Sequence, residues 1–177
     1  GREKCGVMPI RGHSGVQGGS ECGVDPDKLP GGFEVANDAD RKRFEDLWGA
    51  PLPAGKGRRT LQMLEAAHRG EVDFLYSLGG NLLETMPDRA YMHDALSRVK
   101  LRVHQDIIVT DQMLLDPGEE VILLPAKTRY EQEGGGTQTS TERRVMFSPE
   151  LPRQVGEAKA EWRILRELAA AVDPQRA

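Results

Sequence analysis

An arginine that leads directly into a glycine-rich run is the most chemically suggestive stretch of this sequence. The run reads Arg11-Gly12-His13-Ser14-Gly15-Val16-Gln17-Gly18-Gly19. Glycines let backbone N–H groups approach an anion closely. An arginine at the entrance adds a permanent positive charge and a planar fork of donors. That combination suits the holding and orienting of a small oxyanion; the plain alternative for Arg11 is a surface salt bridge. His13 can donate to a substrate or shuttle a proton near neutral pH. Its plain alternative is a loop histidine in contact with solvent.

Two further segments follow apolar runs. Gly79-Gly80-Asn81-Leu82 comes after Val72–Leu78, and Gln105-Asp106 through Thr110 lies within Leu101–Val109 and just beyond it. In an open parallel sheet, ligands bind beyond the carboxyl ends of the strands. Glycine N–H groups there can meet a phosphate, and the Asp106 carboxylate can accept from guanine or ribose donors. Taken singly, the glycines can be an ordinary turn and Asp106 a helix cap. Together they make a nucleotide-sized anion site. His68, His93 and His104 lie on or beside regular elements and read as structural, while Glu131 and Glu133 read as solvated loop residues. No nucleophile–base pair, P-loop or complete dinucleotide fingerprint occurs. Cys5 and Cys22 are too few for a zinc or iron–sulfur set and are either a disulfide or two thiols. We therefore expect no metal bound directly by this chain.

The elements that must position these segments follow from the pattern. With 177 residues, 38% of them hydrophobic, the chain can bury a core, and its 20 glycines and 11 prolines imply long connections. A net charge of -4 gives no basic face for nucleic acid. No apolar run reaches membrane-spanning length and no signal segment is seen, so a cytoplasmic protein is expected. The start, Gly1-Arg2-Glu3-Lys4, runs directly into an apolar stretch and suggests a piece of a longer protein.

Residues 12–32 read as one long loop. Helices are expected over Asp38–Trp48, with Asn37 or Asp38 as cap, Phe44, Leu47 and Trp48 on one side and Gly49 as stop, and over Leu61–Arg69, capped by Thr60. Val72–Leu78, Leu101–Val109 and Val121–Leu124 read as strands. Between them fall a helix from Pro87 to Val99, buried along Tyr91, Ala95, Leu96 and Val99, and a short one from Thr110 to Leu115. This alternation predicts an α/β fold, a three-layer, Rossmann-like half of a doubly wound, mainly parallel sheet. Residues 1–125 would form that domain. Residues 126–177 would be a C-terminal extension, with a short strand at Arg143–Phe147 and a helix at Ala158–Val172 packed through Trp162, Leu165, Leu168 and Ala169.

The motifs also resemble a family. Met8-Pro9-Ile10-Arg11-Gly12-His13-Ser14-Gly15-Val16-Gln17-Gly18 is similar to a stretch of formate dehydrogenase catalytic subunits, in the dimethyl sulfoxide reductase superfamily. Cys22-Gly23, Leu29-Pro30-Gly31 and Phe44…Leu47-Trp48-Gly49 fit the same stretch. Leu78-Gly79-Gly80-Asn81-Leu82 resembles the family's glycine turn, Gln105-Asp106-Ile107 with Thr110 its glutamine-aspartate motif, and Val121–Pro125 its following strand. Glu131-Gln132-Glu133-Gly134 and Glu142-Arg143-Arg144-Val145 continue the likeness.

The resemblance implies a molybdopterin-dependent oxidoreductase carrying molybdenum or tungsten on two molybdopterin guanine dinucleotides (bis-MGD). Arg11 would stand near the metal and orient an anionic substrate, with His13 beside it. Gly12, Gln17, Gly79, Gly80, Asn81, Leu82, Gln105, Asp106 and Thr110 would meet the cofactor. A 4Fe-4S cluster would be held elsewhere in the parent enzyme, together with the cysteine or selenocysteine ligand of the metal and the closing barrel. Partners would be the remaining domains of the same polypeptide, a small anionic substrate and an electron-transfer partner. His13 replaces a common glutamine and Gly15 a usual asparagine, which leaves the substrate open between formate and a related small molecule. The alternative reading is a free-standing Rossmann-like nucleotide-binding module without redox activity.

Overall fold

A computed structural model describes Glu3, Gly6, residues 15–139 and residues 144–175. Arg11, Gly12, His13 and Cys5 lie outside the described residues. The chain divides into two compact units, Gly1–Arg58 with Gln138–Met146, and Arg59–Thr137 with Phe147–Ala177.

In the first unit, the stretch expected as one loop contains regular structure. A seven-residue helix, α1 (Gly15–Glu21), precedes an antiparallel pair, β1 (Lys28–Leu29) and β2 (Phe33–Glu34). None of the α1 side chains is buried, so there was no hydrophobic period to read. Cys22 is an exposed free thiol. Helix α2 (Asp38–Trp48) forms as expected. The Asn37 side chain accepts from the N–H groups of Ala39 and Asp40, and Gly49 ends the helix at φ +62°. Phe44 packs edge-on against Phe33 and tilts against Trp48, whereas Leu47 faces solvent.

The second unit carries the parallel sheet. Its strands are β3 (Phe74–Leu78), β4 (Leu101–Asp106) and β5 (Glu120–Pro125), in the order β3-β4-β5. Helix α3 (Thr60–His68) precedes β3, and α4 (Leu82–Thr85) and α5 (Arg89–Ser97) make the crossover to β4, so the α/β expectation of a Rossmann-like parallel sheet holds. Leu64, Leu83, Met92 and Leu96 form the core, with Leu75 of β3 packed against them. Ala67 and Ala95 keep α3 and α5 close around Val99 and the same Leu75.

Several ends differ from expectation. Gln62 accepts the N–H of Arg59, so Arg59 stands at the cap position of α3 and Thr60 is its first residue. Asp88 caps α5 by accepting the Tyr91 N–H, so the helix starts at Arg89 and Pro87 precedes it instead of lying in its first turn. Strand β4 stops at Asp106, whose carboxylate takes the N–H of Ile107 at 2.7 Å, and Ile107–Val109 are exposed. The segment after Thr110 is a single 3-10 turn, Asp111–Leu114.

Beyond β5, Ala126 bridges in parallel to Lys159, which brings in helix α6 (Glu161–Val172). Ile164 is its buried residue; Trp162, Leu165, Leu168 and Ala169, the face expected to pack, are exposed. A cleft of about 410 Å³ between β5 and α6 is lined by Leu124, Pro125, Ile164 and Leu168. Strands β6 (Gly136–Thr139) and β7 (Val145–Ser148) pair as a separate ribbon. Among the described residues no helix is long and apolar enough to cross a membrane.

Strand β4 is flanked on both sides, and the polar side chains it carries are buried with it. Arg102 and Gln105 are 0% exposed and His104 is 2% exposed. Neither ring nitrogen of His104 has a hydrogen-bond partner among the described residues. Burial, with a smaller push from Arg102, holds its pKa below the ordinary 6.5, and Asp106 opposes that shift in part.

The unfolded chain therefore takes up this proton first, and folding loses stability as pH falls from about 7 toward 5. The slope from one such group is at most about 1.4 kcal/mol per pH unit. Replacing His104 with Gln, neutral throughout, should flatten that part of the profile. Urea midpoints of both proteins at pH 7.5 and 5.5 check this; an equal fall in both would refute it.

Candidate functional site

The register aligns the carboxyl ends of the three strands: Leu78 pairs with Gln105, Gln105 with Leu124, and Asp106 with Pro125. Three connections leave from this edge, and two contain the residues singled out by sequence.

After β3 the chain turns through Gly79 and Gly80, at φ +69° and +78°. Two successive left-handed residues strain any side chain, while the space beside both positions is open. The glycines thus serve the backbone path and leave the adjacent volume clear. The Gly79 N–H donates to the Gln105 carbonyl at 2.8 Å, tying the turn to β4. Asn81 begins α4 through its carbonyl, which accepts from the N–H groups of Glu84 and Thr85 and from the Thr85 hydroxyl. Its own side chain makes no capping bond.

Three of the expected binding residues keep buried polar atoms without a hydrogen-bond partner among the described residues: Asn81 Oδ1, Gln105 Nε2 and Thr110 Oγ1. The other end of the Gln105 amide is occupied, since the Tyr76 hydroxyl donates to Oε1 at 2.6 Å. Burial raises the pKa of that tyrosine, which keeps it a donor. An orphaned buried polar group costs about 1–3 kcal/mol. The three, toward the carboxyl side of one sheet, are an acceptor, a donor and a hydroxyl able to do either. Asp106 uses one oxygen on Ile107 and lines a cleft of about 240 Å³ with His104, Val109, Met113 and Leu124.

The arrangement depends on residues that sequence reading passed over. Gln112, 1% exposed, donates from Nε2 to the Gly80 carbonyl at 2.7 Å and accepts the Leu82 N–H on Oε1 at 2.8 Å. Arg102 reaches from β4 to the carbonyls of Gln112, Leu115 and Asp116 at 3.0, 2.6 and 3.1 Å. The one available signal was a glutamine two residues after Thr110 in a turn; nothing local marked it as buried. Glu131 and Glu133 are also more than solvated loop residues. Glu131 accepts from the N–H and hydroxyl of Thr128, and these bonds lower its pKa. Glu133 pairs with the nearly buried Lys127.

Of the expected residues, the structure thus brings together Gly79, Gly80, Asn81, Leu82, Gln105, Asp106 and Thr110 in the second unit. Gln17 lies on α1 in the first unit, with its side chain exposed. Arg11, Gly12 and His13 fall outside the described residues. Among the described residues no group of three or more histidines, cysteines and acids could hold a metal ion.

Comparison with known proteins gives these features a context. The profile of the family described as molybdopterin oxidoreductase matches residues 19–171. The probable oxidoreductase YjgC of Bacillus subtilis is 33% identical over 169 residues, which cover 96% of this chain and 16% of that protein. The F420-dependent formate dehydrogenase subunit alpha of Methanocaldococcus jannaschii is also 33% identical over 169 residues, 96% of this chain and 24% of that subunit. The chain thus spans about a sixth to a quarter of the length of these relatives. On a profile match that runs through both the glycine turn and the glutamine-aspartate pair, the chain belongs to the molybdopterin oxidoreductase family.

Proposed function

We propose that the chain is part of a formate dehydrogenase-like oxidoreductase and supplies one wall of the cradle for a molybdopterin guanine dinucleotide. The observation that carries this reading is the set of orphaned atoms on Asn81, Gln105 and Thr110 at the carboxyl edge of the sheet. They fit the cofactor's chemistry, because a pterin or guanine edge offers donors and acceptors in one plane. Asn81 Oδ1 would accept from a ring or amino N–H, Gln105 Nε2 would donate to a carbonyl, and Thr110 would bridge. Asp106 would take guanine donors, and the open space beside Gly79 and Gly80 would admit the phosphates. Leu82, the first residue of α4, would complete the contacts at this edge.

When bound, the metal–pterin group supplies the site that accepts an electron pair from the substrate. The chain's own part is to bind and orient. Arg11 would draw in a small anion such as formate and hold its oxygens, stabilising the charge that shifts during oxidation. His13 would move the released proton. The much longer relatives support further domains on the same polypeptide; these would hold the metal's protein ligand and a 4Fe-4S cluster that passes electrons to a partner. Residues 1–125 would belong to the dinucleotide-binding domain and 126–177 to a neighbouring one. A bis-MGD cofactor with molybdenum or tungsten, in a cytoplasmic enzyme, completes the proposal.

Two variants of the natural polypeptide test it. Replacing Thr110 with Val and Asn81 with Ala together should lower bound pterin per polypeptide by about tenfold or more, since two groups lose their partners. Pterin released by denaturation and read by fluorescence checks this, and wild-type content would sink the assignment of these residues. Arg11→Ala should reduce turnover on the order of 100-fold, in line with loss of one charge-stabilising donor. Metal content should stay near wild type; unchanged turnover would take Arg11 out of the mechanism.

A further inference from the structure

Two consecutive positive-φ glycines make a loose joint, because glycine loses the most conformational freedom on folding. Asn81 sits directly after that joint, yet it must hold its amide in one direction if it is to meet a ligand. The restraint comes from another connection. Gln112 donates to the carbonyl of Gly80 and accepts the N–H of Leu82, the two backbone groups that flank Asn81. A single planar amide therefore fixes the peptide planes on both sides of Asn81. Gln112 stands two residues after Thr110, and its own carbonyl is held by Arg102 at 3.0 Å. One buried side chain thus couples the turn after β3 to the turn after β4.

Stability alone does not call for this arrangement. Gly80 is exposed, so its carbonyl could accept from water as an alternative donor. What water does not supply is a fixed separation between two turns. We propose that Gln112 is a positioning residue that sets Asn81 relative to Thr110, so that both meet the same polar ring edge at once. This rests on the reading of Asn81 and Thr110 as cofactor contacts.

The test compares Gln112→Met with Gln112→Glu in the natural polypeptide. Methionine keeps the length and loses both bonds, whereas glutamate keeps the acceptor for Leu82 and loses the donor to Gly80. Three quantities are read: pterin per folded polypeptide, the urea midpoint, and hydrogen exchange of the Gly79–Leu82 amides. The expected result for Gln112→Met is about tenfold less bound pterin and about tenfold faster exchange in that turn. The midpoint should change little, and Gln112→Glu should fall between Gln112→Met and wild type.

Wild-type pterin content with unchanged exchange overturns the proposal. So does a lowered midpoint with full pterin content in the folded fraction, which is the signature of a merely structural residue. Should the wild-type polypeptide itself carry no pterin, the functional reading fails. The brace is then decided by exchange alone, faster exchange supporting it and unchanged exchange overturning it.

Discussion

A fully buried guanidinium with backbone carbonyls as its partners is the constraint on which the rest of the site depends. Arg102 sits on the middle strand, 0% exposed, and donates to the carbonyls of Gln112, Leu115 and Asp116. Removing a cation from water costs several kcal/mol unless hydrogen bonds replace the lost hydration. The connection between β4 and β5 must therefore curl over the strand and present three carbonyls at one point. That curl places Thr110 at its start and turns Gln112 inward. Gln112 in turn holds the glycine turn that follows β3. A charge in the core thus fixes two loops at the sheet edge, where the orphaned atoms of Asn81, Gln105 and Thr110 lie.

The division of labour along β4 explains how a central strand can be so polar. Leu101 and Val103 supply the apolar contacts, while Arg102, His104 and Gln105 are each buried for a different reason. Arg102 organises a loop, and Gln105 carries a tyrosine hydroxyl on one side of its amide and keeps the other side unpaired. His104 is held neutral by burial beside the site cleft. Elsewhere the second unit follows apolar packing, with α3 and α5 closing over Leu75. Phe74, Leu78 and Ile122 share the other face of the sheet and remain exposed, as does the Trp162, Leu165 and Leu168 stripe of α6. In the proposed reading, this is surface for the further domains of a longer polypeptide.

Much of the scaffold was legible in the sequence because its signals are local. Phe74–Leu78 and Val121–Leu124 are apolar runs, Asn37 and Gly49 bracket a helix, and Gly79-Gly80 announces a turn after a strand. The candidate residues of the second unit stood out for the same reason, as glycines and polar groups at or just beyond strand ends. Gln112 and Arg102 were not, because their importance comes from partners 30 and 10 residues away. Periodicity also failed where no side chain is buried, as in α1. For α6 it found a real apolar stripe without showing that Ile164 is the residue that is buried.

The most direct measurement is the amount of molybdenum or tungsten, together with released pterin and guanine nucleotide, on the purified natural polypeptide. The account predicts near-stoichiometric metal, with about two pterins and two guanine nucleotides per metal, the ratio of a bis-MGD centre. A polypeptide that carries neither metal nor pterin under conditions that load its relatives would contradict it.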